Sequence, residues 1–380
     1  MWQLQVRLER RYLAPGWLRL VINTISLLLA LVSIAFVLWA AKIDPIQAYK
    51  KIFIGSFGSF YGLSETTVKA IPLLICGVGL ALAFKAQFWN IGAEGQLLMG
   101  AIAATWVALF FPIKLPSWAV RPTMFAAGFL AGALWALIPA ILRAKLQVNE
   151  VITSLMLVYV ATEIVNYLVY GPWKGAKEWG FPYSDKFPDA AIIPTIPGTR
   201  IHYPTLILGI VAAILAYFFL MRTRWGYELR VTGDNPKAAL YAGIPYLRVA
   251  VLVMLISGGL AGIAGVGEVA GIHARLRYPQ GISPGYGFTA IIVAWLAQLN
   301  PLVVILTSFL FGGLLVGGDA LKVSLGLPVP TIHMFNGAIL FFLIGGEIFL
   351  RYRVSIIVKP KEMPTSRKEE SACWTSSSEC

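Results

Sequence analysis

The stretch V-I-N-T-I-S-L-L-L-A-L-V-S-I-A-F-V-L-W-A at residues 21–40 decides the fold class. Its polar residues are Asn23, Thr24, Ser26 and Ser33, and none of them is charged. A helix of about 20 apolar residues crosses the hydrocarbon core of a bilayer. The stretch is longer than the apolar part of a cleavable signal and follows a basic segment, so we expect a retained first membrane helix.

The composition of the chain agrees with a membrane protein. Of its 380 residues, 58% are hydrophobic and 13% are charged, and the mean hydropathy is +0.74. Soluble domains carry about 25% charged residues, so this chain has too little polar surface to cover a globule in water. Alternating strands of the kind that form membrane barrels are absent, and a backbone in lipid must satisfy its own hydrogen bonds. The sequence therefore predicts an all-α, polytopic integral membrane protein.

About ten apolar stretches are predicted to cross the membrane, some of them short or interrupted. They run over 20–40, 68–84, 92–111, 123–142, 151–170, 204–221, 249–267, 286–299, 301–318 and 332–350. An even number of crossings puts both termini on one side. Because basic residues are frequent in the N-terminus, in the 222–248 loop and in the 351–368 tail, the positive-inside rule predicts that both termini are cytoplasmic.

This pattern divides the chain into three parts. Residues 1–19 are expected to form a basic cytoplasmic N-terminus, residues 20–350 the transmembrane domain, and residues 351–380 a disordered cytoplasmic tail. The longest external loop, 171–203, is rich in proline, which excludes a regular helix there. We expect this loop to cap the helix bundle, with docking of a partner as the alternative.

The net charge of +13, from 31 Lys and Arg against 18 Asp and Glu, would suggest a nucleic-acid partner in a soluble protein. In a membrane protein it is better explained by cationic loops that face anionic lipid, so membrane lipid is the expected partner and nucleic acid is not. The cysteines are Cys76, Cys373 and Cys380, and their positions predict no disulfide framework.

Motifs of catalysis, nucleotide binding and metal binding are absent from the sequence. It contains no G-x-x-x-x-G-K-[ST], H-E-x-x-H, C-x-x-C or G-x-S-x-G. His202, His273 and His333 lie far apart near predicted helix ends, where an interfacial role is favoured over metal binding. We therefore expect no enzyme, no metal and no cofactor in this chain, and an energy source outside it for any uphill transport.

The segment F-W-N-I-G-A-E-G-Q at 88–96 interrupts two apolar runs. Asn90 can cap a new helix, and the glycines allow another backbone to approach. Glu94 would lie one turn into that helix, and an acid at membrane depth is usually functional. The alternative is a short cytoplasmic loop with solvated Lys85 and Glu94. A similar glycine-rich break, P-G-Y-G-F-T-A at 284–290, precedes another apolar run, and paired breaks would flank one central path.

The segment G-D-N-P-K-A-A-L-Y-A-G-I at 233–244 predicts a short helix outside the bilayer. Asp234 or Asn235 can cap it, Pro236 suits its first position and Gly243 can end it. A short, well-capped helix suits docking onto a soluble partner, whereas a plain connector needs no caps. A third segment, G-G-L-A-G-I-A-G-V-G-E at 258–268, is interpreted mainly as a close helix–helix contact.

Four segments in order resemble one family: F-W-N-I-G-A-E-G-Q-L-L-M-G-A at 88–101, N-E-V-I-T-S-L-M-L at 149–157, the 233–244 segment, and G-Y-G-F-T-A-I-I-V-A-W-L at 285–296. They are similar to the branched-chain amino acid/simple sugar permeases of ABC importers, in the branch linked to nucleosides and basic membrane proteins. The resemblance covers roughly residues 65–350. It implies a permease subunit in the bacterial inner membrane that imports a nucleoside or simple sugar.

The resemblance also implies partners and sites. The partners are an ATP-binding cassette ATPase, which binds and hydrolyses the ATP, a second homologous permease, and an extracytoplasmic solute-binding protein. The helix near 234–243 would couple the permease to the ATPase. Its residues are Gly233, Asp234, Asn235, Pro236, Ala238, Ala239, Tyr241, Ala242 and Gly243.

Polar residues within the apolar stretches are the candidates for the solute pathway. The pathway set is Asn90, Glu94, Gln96, Asn149, Ser257 and Thr289. Interhelical hydrogen bonds are the alternative explanation for most of them. A transporter driven by an ion gradient is the alternative function, with an ion site at Glu94, Glu163, Glu268 or Asp319.

Overall fold

The computed structural model describes residues 2–10, 16–40, 42–112, 115–176, 180–325, 334, 337–339, 341–342, 345–346 and 352–360. Its helices are α1 Gly16–Ala40, α2 Pro45–Phe57, α3 Phe60–Lys85, α4 Ala93–Leu109, α5 Ser117–Leu146, α6 Glu150–Tyr170, α7 Tyr203–Arg222, α8 Arg224–Asp234, α9 Pro236–Tyr241, α10 Tyr246–Gly267, α11 Pro279–Ile282, α12 Tyr286–Leu296 and α13 Pro301–Leu325. A π-helical turn at Glu268–His273 continues α10. The predicted helical, multi-pass membrane fold is confirmed.

The number of spans differs from the ten predicted. Six helices in the described part are long and apolar enough to cross a membrane, namely α3, α5, α6, α7, α10 with its π-helical turn, and α13. Thr24–Ala40 and Pro45–Phe57 form a bent pair that adds a seventh span if counted together. Helices α4 and α12 have only 17 and 11 residues, because each starts after a polar, glycine-rich break. The predicted span at 332–350 lies mostly outside the described residues.

The chain divides into two compact units, Met1–Ser33 with Ala338–Cys380, and Ile34–Gly337. In the larger unit, α3 lies at the centre and packs against α13, α10, α12 and α7. Of its apolar span 89% is buried by protein, compared with 22% for α6, which turns most of its surface outward. Helix α10 packs against α5, α4 and α3. The core of the bundle is therefore built around α3 and α10.

Glycines allow α10 to approach α5 and α4 backbone to backbone. A Cβ atom on Gly262 would overlap the carbonyl oxygen of Gly128, and one on Gly132 would overlap that of Gly258. A Cβ on Gly100 would likewise meet the backbone of Gly262. Small residues are the usual means of close helix contact in membranes. The glycine-rich 258–268 segment is thus a packing surface, as interpreted from the sequence.

The long loop after α6 lies along the π-helical turn and the residues after it. The N–H groups of Ser184, Phe187 and Ile193 donate to the carbonyl oxygens of Leu276, Ala274 and Ala270 at 3.0, 2.9 and 3.0 Å. Within the described part of this loop, a 3-10 turn forms at Asp189–Ala191. The loop therefore covers this end of the bundle, which agrees with a capping role.

The smaller unit contains a strand pair that was not predicted. Strand β1, Trp2–Arg10, pairs antiparallel with β2, Tyr352–Pro360, so that Trp2 lies opposite Pro360. These residues were expected to form a basic N-terminus and a disordered tail. The alternation of apolar and polar residues in W-Q-L-Q-V-R-L-E-R, a period of two that favours a strand, was not recognised. The rest of the tail, 361–380, lies outside the described residues.

Candidate functional site

The break before α4 is held by the side chain of Asn90, which is fully buried. Its amide nitrogen donates to Oε1 of Gln96 and Oγ of Ser257, both at 3.0 Å. Its amide oxygen accepts from Nε2 of Gln96 at 2.9 Å and from the N–H of Gly92 at 3.0 Å. Asn90 therefore closes the turn and ties it to α10 through Ser257.

The structure brings Asn90, Gln96 and Ser257 of the predicted pathway set together, as one buried polar cluster. Ser257 lies eleven residues after Tyr246 in α10, about 16 Å along that helix and hence well inside the bundle. Asn90 and Gln96 satisfy each other with two amide hydrogen bonds. Their hydrogen-bonding groups are thus engaged within the chain, where buried polar groups need partners.

Glu94 joins the two broken helices. Its Oε2 accepts a hydrogen bond of 2.7 Å from the N–H of Gly287 in the first turn of α12. A Cβ atom on Gly287 would overlap the backbone of Glu94, so the first turns of α4 and α12 touch. The glycine-rich breaks at 88–96 and 284–290, noted as a pair in the sequence, therefore meet inside the bundle.

The other two residues of the pathway set lie elsewhere. Asn149 is exposed and caps α6, where its Oδ1 accepts from the N–H of Val151 at 2.9 Å. Thr289 is buried in α12, and its hydroxyl donates to the carbonyl oxygen of Gly285 at 3.0 Å. The structure does not bring Asn149 into the buried polar cluster.

Replacing Asn90 by alanine should destabilise the bundle by about 2 kcal/mol or more, because it leaves buried donors and acceptors on Gln96, Ser257 and Gly92 without partners. The matched control is Asn149→Ala, which removes an exposed helix cap and should cost about 1 kcal/mol. The measurement is the thermal unfolding midpoint of each variant in detergent. Equal midpoints for the two variants would contradict the role assigned to the cluster.

The second candidate site is the predicted short helix, which forms as α9. Asn235 caps it, since its Oδ1 accepts from the N–H groups of Lys237 and Ala238 at 3.1 and 3.2 Å. Pro236 takes the first position. Gly243, with φ +75°, ends the helix in the left-handed region that glycine adopts without strain. Asp234 is the last residue of the preceding helix, α8, so Asn235 is the cap.

Helix α9 is anchored on one face and exposed on the other. Ala239 and Ile244 are buried, and the N–H of Ile244 donates to the carbonyl oxygen of Ala239 at 3.0 Å. Leu240 and Tyr241 are 71% and 93% exposed. The remaining exposed members of the predicted set are Asp234, Asn235, Pro236, Ala238, Ala242 and Gly243. The helix thus presents a bulky apolar and aromatic pair outward from a fixed base.

Gly233 connects this surface to the centre of the bundle. A Cβ on Gly233 would overlap the carbonyl oxygen of Lys85, the last residue of α3. The end of α8 therefore rests on the end of α3, and the break at 88–96 follows directly after that point. Helix α9 is thus joined through α8 to the end of the central helix.

Several residues near these sites were missed from the sequence. Arg143 at the end of α5 pairs with Glu150 in the first turn of α6 at 3.2 Å. Helix α8 was also missed, because it is short and polar on average, so that no apolar run marks it. The close spacing of Arg143 and Glu150 across a short turn was the available signal for their pair.

The acids named for an ion site differ in their surroundings. Asp319 pairs with Lys69 at 2.7 Å, and Oε2 of Glu268 lies 4.0 Å from Nε2 of His273. Glu94 is engaged with Gly287. Asp319, Glu268 and Glu94 therefore each contact another residue of the bundle. Glu163, by contrast, faces outward from α6.

Comparisons with known proteins identify the family. Residues 62–344 match the family described as branched-chain amino acid transport system permease component. The chain is 39% identical to a glucose ABC transporter permease of Haloferax volcanii over 93% of this chain and 94% of that protein. It is 30% identical to a guanosine ABC transporter permease of Bacillus subtilis, over 85% of this chain and 92% of that one.

A nucleoside ABC transporter permease of Lactococcus lactis is 29% identical over 81% of this chain and 86% of that protein. The relatives support the resemblance drawn from four sequence segments, and they favour an ABC permease over an ion-driven transporter. Permeases of this kind are transport proteins rather than enzymes, and the family implies an ATPase partner. The chain therefore belongs to the branched-chain amino acid transport system permease family, as a multi-pass membrane permease of the ABC transporter class.

Proposed function

We propose that this permease forms, with a second related permease subunit, the pore of an importer for a nucleoside or a simple sugar in the cytoplasmic membrane. An ATP-binding cassette ATPase docks on α9 from the cytoplasm, and an extracytoplasmic binding protein delivers the solute. Both termini are cytoplasmic in this proposal. The observation that carries it is the capped, anchored α9 helix with Leu240 and Tyr241 projecting into solvent.

The exposure of α9 supports ATPase docking on physical grounds. Tyrosine side chains that stand free of their own protein are common anchors of interfaces. A helix fixed at its base can transmit force, because Gly233 rests against the end of α3. ATP binding then shifts the population between inward-open and outward-open states, since ATP binds the closed ATPase pair more tightly.

The paired helix breaks supply the part of the permease proposed to rearrange. The contact between Glu94 and Gly287 joins the starts of α4 and α12, and short helices that begin inside a bundle occur at the solute sites of other transporters. We propose that these breaks rearrange as the pathway opens and closes. Asn90, Gln96 and Ser257 then hold the geometry of the break through their mutual hydrogen bonds.

The nature of the solute is inferred from the relatives. Their names specify glucose, guanosine and nucleosides, all of which are neutral and rich in hydroxyl groups. Transport of such a solute needs hydrogen-bond acceptors and donors along the path.

Replacing Tyr241 by alanine should weaken ATPase docking by roughly 30-fold, because truncation of a central aromatic anchor costs about 2 kcal/mol. The measurement is the affinity of the purified ATPase for the permease in nanodiscs, together with ATP-driven uptake in proteoliposomes. The matched control is Tyr227→Ala on α8, which removes the same side chain where it is 58% exposed. Docking of the Tyr241→Ala permease with unchanged affinity would contradict the proposed role of α9.

A further inference from the structure

Glu163 occupies an unusual position on α6. It lies seven residues before Tyr170 and thirteen after Glu150, hence about 10 Å and 20 Å from the two ends of this membrane helix. Its side chain is exposed on the outward surface of the helix. Among the ion pairs between described residues none includes Glu163, and its hydrogen-bond partner is Asn166, at 3.3 Å. A carboxylate on hydrocarbon at that depth is strongly disfavoured, so this surface is better suited to face water than lipid.

The neighbours of Glu163 on the same surface are aromatic. Tyr159 and Tyr167 lie four residues before and after it, a spacing that places all three on one stripe of a helix. Their side chains are 61% and 70% exposed. We define this stripe as the α6 stripe, made of Tyr159, Glu163, Asn166 and Tyr167.

Resting on the proposed transport function, we propose that the α6 stripe is a solute-binding surface that lines the water-filled pathway and takes a ring-shaped solute with two adjacent hydroxyl groups. The carboxylate of Glu163 only accepts hydrogen bonds when it is ionised, and its two oxygens match a vicinal diol. Asn166 holds that carboxylate through its amide N–H. The flanking tyrosine rings offer flat apolar faces with a polar tip for the ring of a sugar or nucleoside.

Labelling of single cysteines tests whether the stripe faces water. In a background with Cys373→Ser and Cys380→Ser, the variants Glu163→Cys and Tyr167→Cys are compared with Val211→Cys and Ile207→Cys. The latter two are exposed on α7 at matched depths, eight and four residues from its start. The reagent is a charged, membrane-impermeant thiosulfonate, which reacts with a thiolate and therefore needs hydrated surroundings.

We expect the two α6 variants to react at least roughly tenfold faster than the α7 variants, since a hydrated thiol ionises and a lipid-facing thiol does not. Equal rates at Glu163→Cys and Val211→Cys would overturn the proposal, because both positions would then face the same environment. This comparison needs neither ATP nor a known solute, so its outcome is independent of whether the proposed import function holds.

Transport kinetics test whether Glu163 recognises the two adjacent hydroxyl groups of the solute. Uptake of guanosine and of glucose is measured in proteoliposomes that contain the complete transporter. For a solute that the unaltered transporter imports, Glu163→Gln should raise KM by roughly tenfold with little change in kcat, as expected for the loss of a charge-assisted hydrogen bond. Removing both ribose hydroxyls, in 2′,3′-dideoxyguanosine, should abolish the difference between the two proteins.

An unchanged KM in Glu163→Gln, with normal uptake by the unaltered transporter, would overturn the binding role alone. Failure of the unaltered transporter to import either solute would instead count against the proposed function, while the labelling comparison would still decide the α6 stripe. A rise in KM that is equal for guanosine and its dideoxy analogue would refute recognition of the diol.

Discussion

Substituting Gly262 by valine is expected to cost at least about 3 kcal/mol of stability, the upper part of the usual range for overpacking. The added Cβ would overlap the carbonyl oxygen of Gly128, and it would also meet Gly132. Since both obstacles are helix backbone, neither can move aside as a flexible side chain can. We expect a fall of roughly 10 °C in the thermal unfolding midpoint in detergent and a loss of monodisperse protein.

The control for this substitution is Gly337→Val, because no atom lies within 4 Å of a Cβ atom built on Gly337. The same change in side chain should leave the unfolding midpoint within about 2 °C of the unaltered protein. A Gly262→Val protein that unfolds at the same temperature as the control would show that α10 and α5 are not in close contact.

Replacing Glu94 by leucine is expected to abolish transport. The N–H of Gly287 would lose its buried acceptor, at a cost of about 1–3 kcal/mol, and the link between the starts of α4 and α12 would be broken. Uptake in proteoliposomes should fall to background, whereas insertion into the membrane should remain, because leucine is more apolar than glutamate. Both quantities are measured on the same preparation.

Glu94→Gln separates the hydrogen bond from the charge. Glutamine keeps an oxygen that can accept from Gly287, and a neutral hydrogen bond has about half the strength of a charge-assisted one. We expect this variant to retain on the order of a tenth of the normal uptake, well above Glu94→Leu. Normal uptake by Glu94→Leu would show that the contact between the helix starts is not part of the transport cycle.

Many of the helices were predictable because a helix that crosses lipid needs about 20 consecutive, mostly apolar residues. The stretches predicted at 151–170 and 204–221 agree within one residue with α6 and α7. The capped helix at 233–244 was also predicted, since its signals of Asn, Pro and Gly are local. Such features depend on a few neighbouring residues and need no knowledge of the tertiary structure.

Helix α3 shows where this approach failed. Its start was predicted at 68, but the helix begins at Phe60 and includes the polar residues Ser64, Glu65 and Thr66. Glu65 is accommodated by an ion pair of 3.2 Å with Arg200, which lies 135 residues away. A pattern of neighbouring residues cannot predict an ion-pair partner so distant in the sequence.

The types of residue in the candidate site could be predicted from the sequence, but their hydrogen-bond partners could not. Asn90 was predicted to cap α4, but Gly92 holds the cap position, and the hydrogen bond from Asn90 to Ser257 joins residues 167 positions apart. Solute contact and interhelical hydrogen bonding were the two explanations that the sequence left open for these polar residues. In the structure, the side-chain amides of Asn90 and Gln96 form two hydrogen bonds with each other. The exposed Glu163 is therefore the stronger candidate for solute contact.

The burial of α3 bears on how the protein is made. During synthesis this helix enters the bilayer before α10, α12 and α13 exist, so lipid covers the surfaces that these helices later bury. In the finished protein 89% of its apolar span is enclosed by other helices. The apolar composition of α3 is thus required for insertion into the bilayer as well as for packing in the finished protein. Polar substitutions along α3 should therefore interrupt biogenesis first, and be recovered as misinserted chains rather than as assembled but inactive transporters.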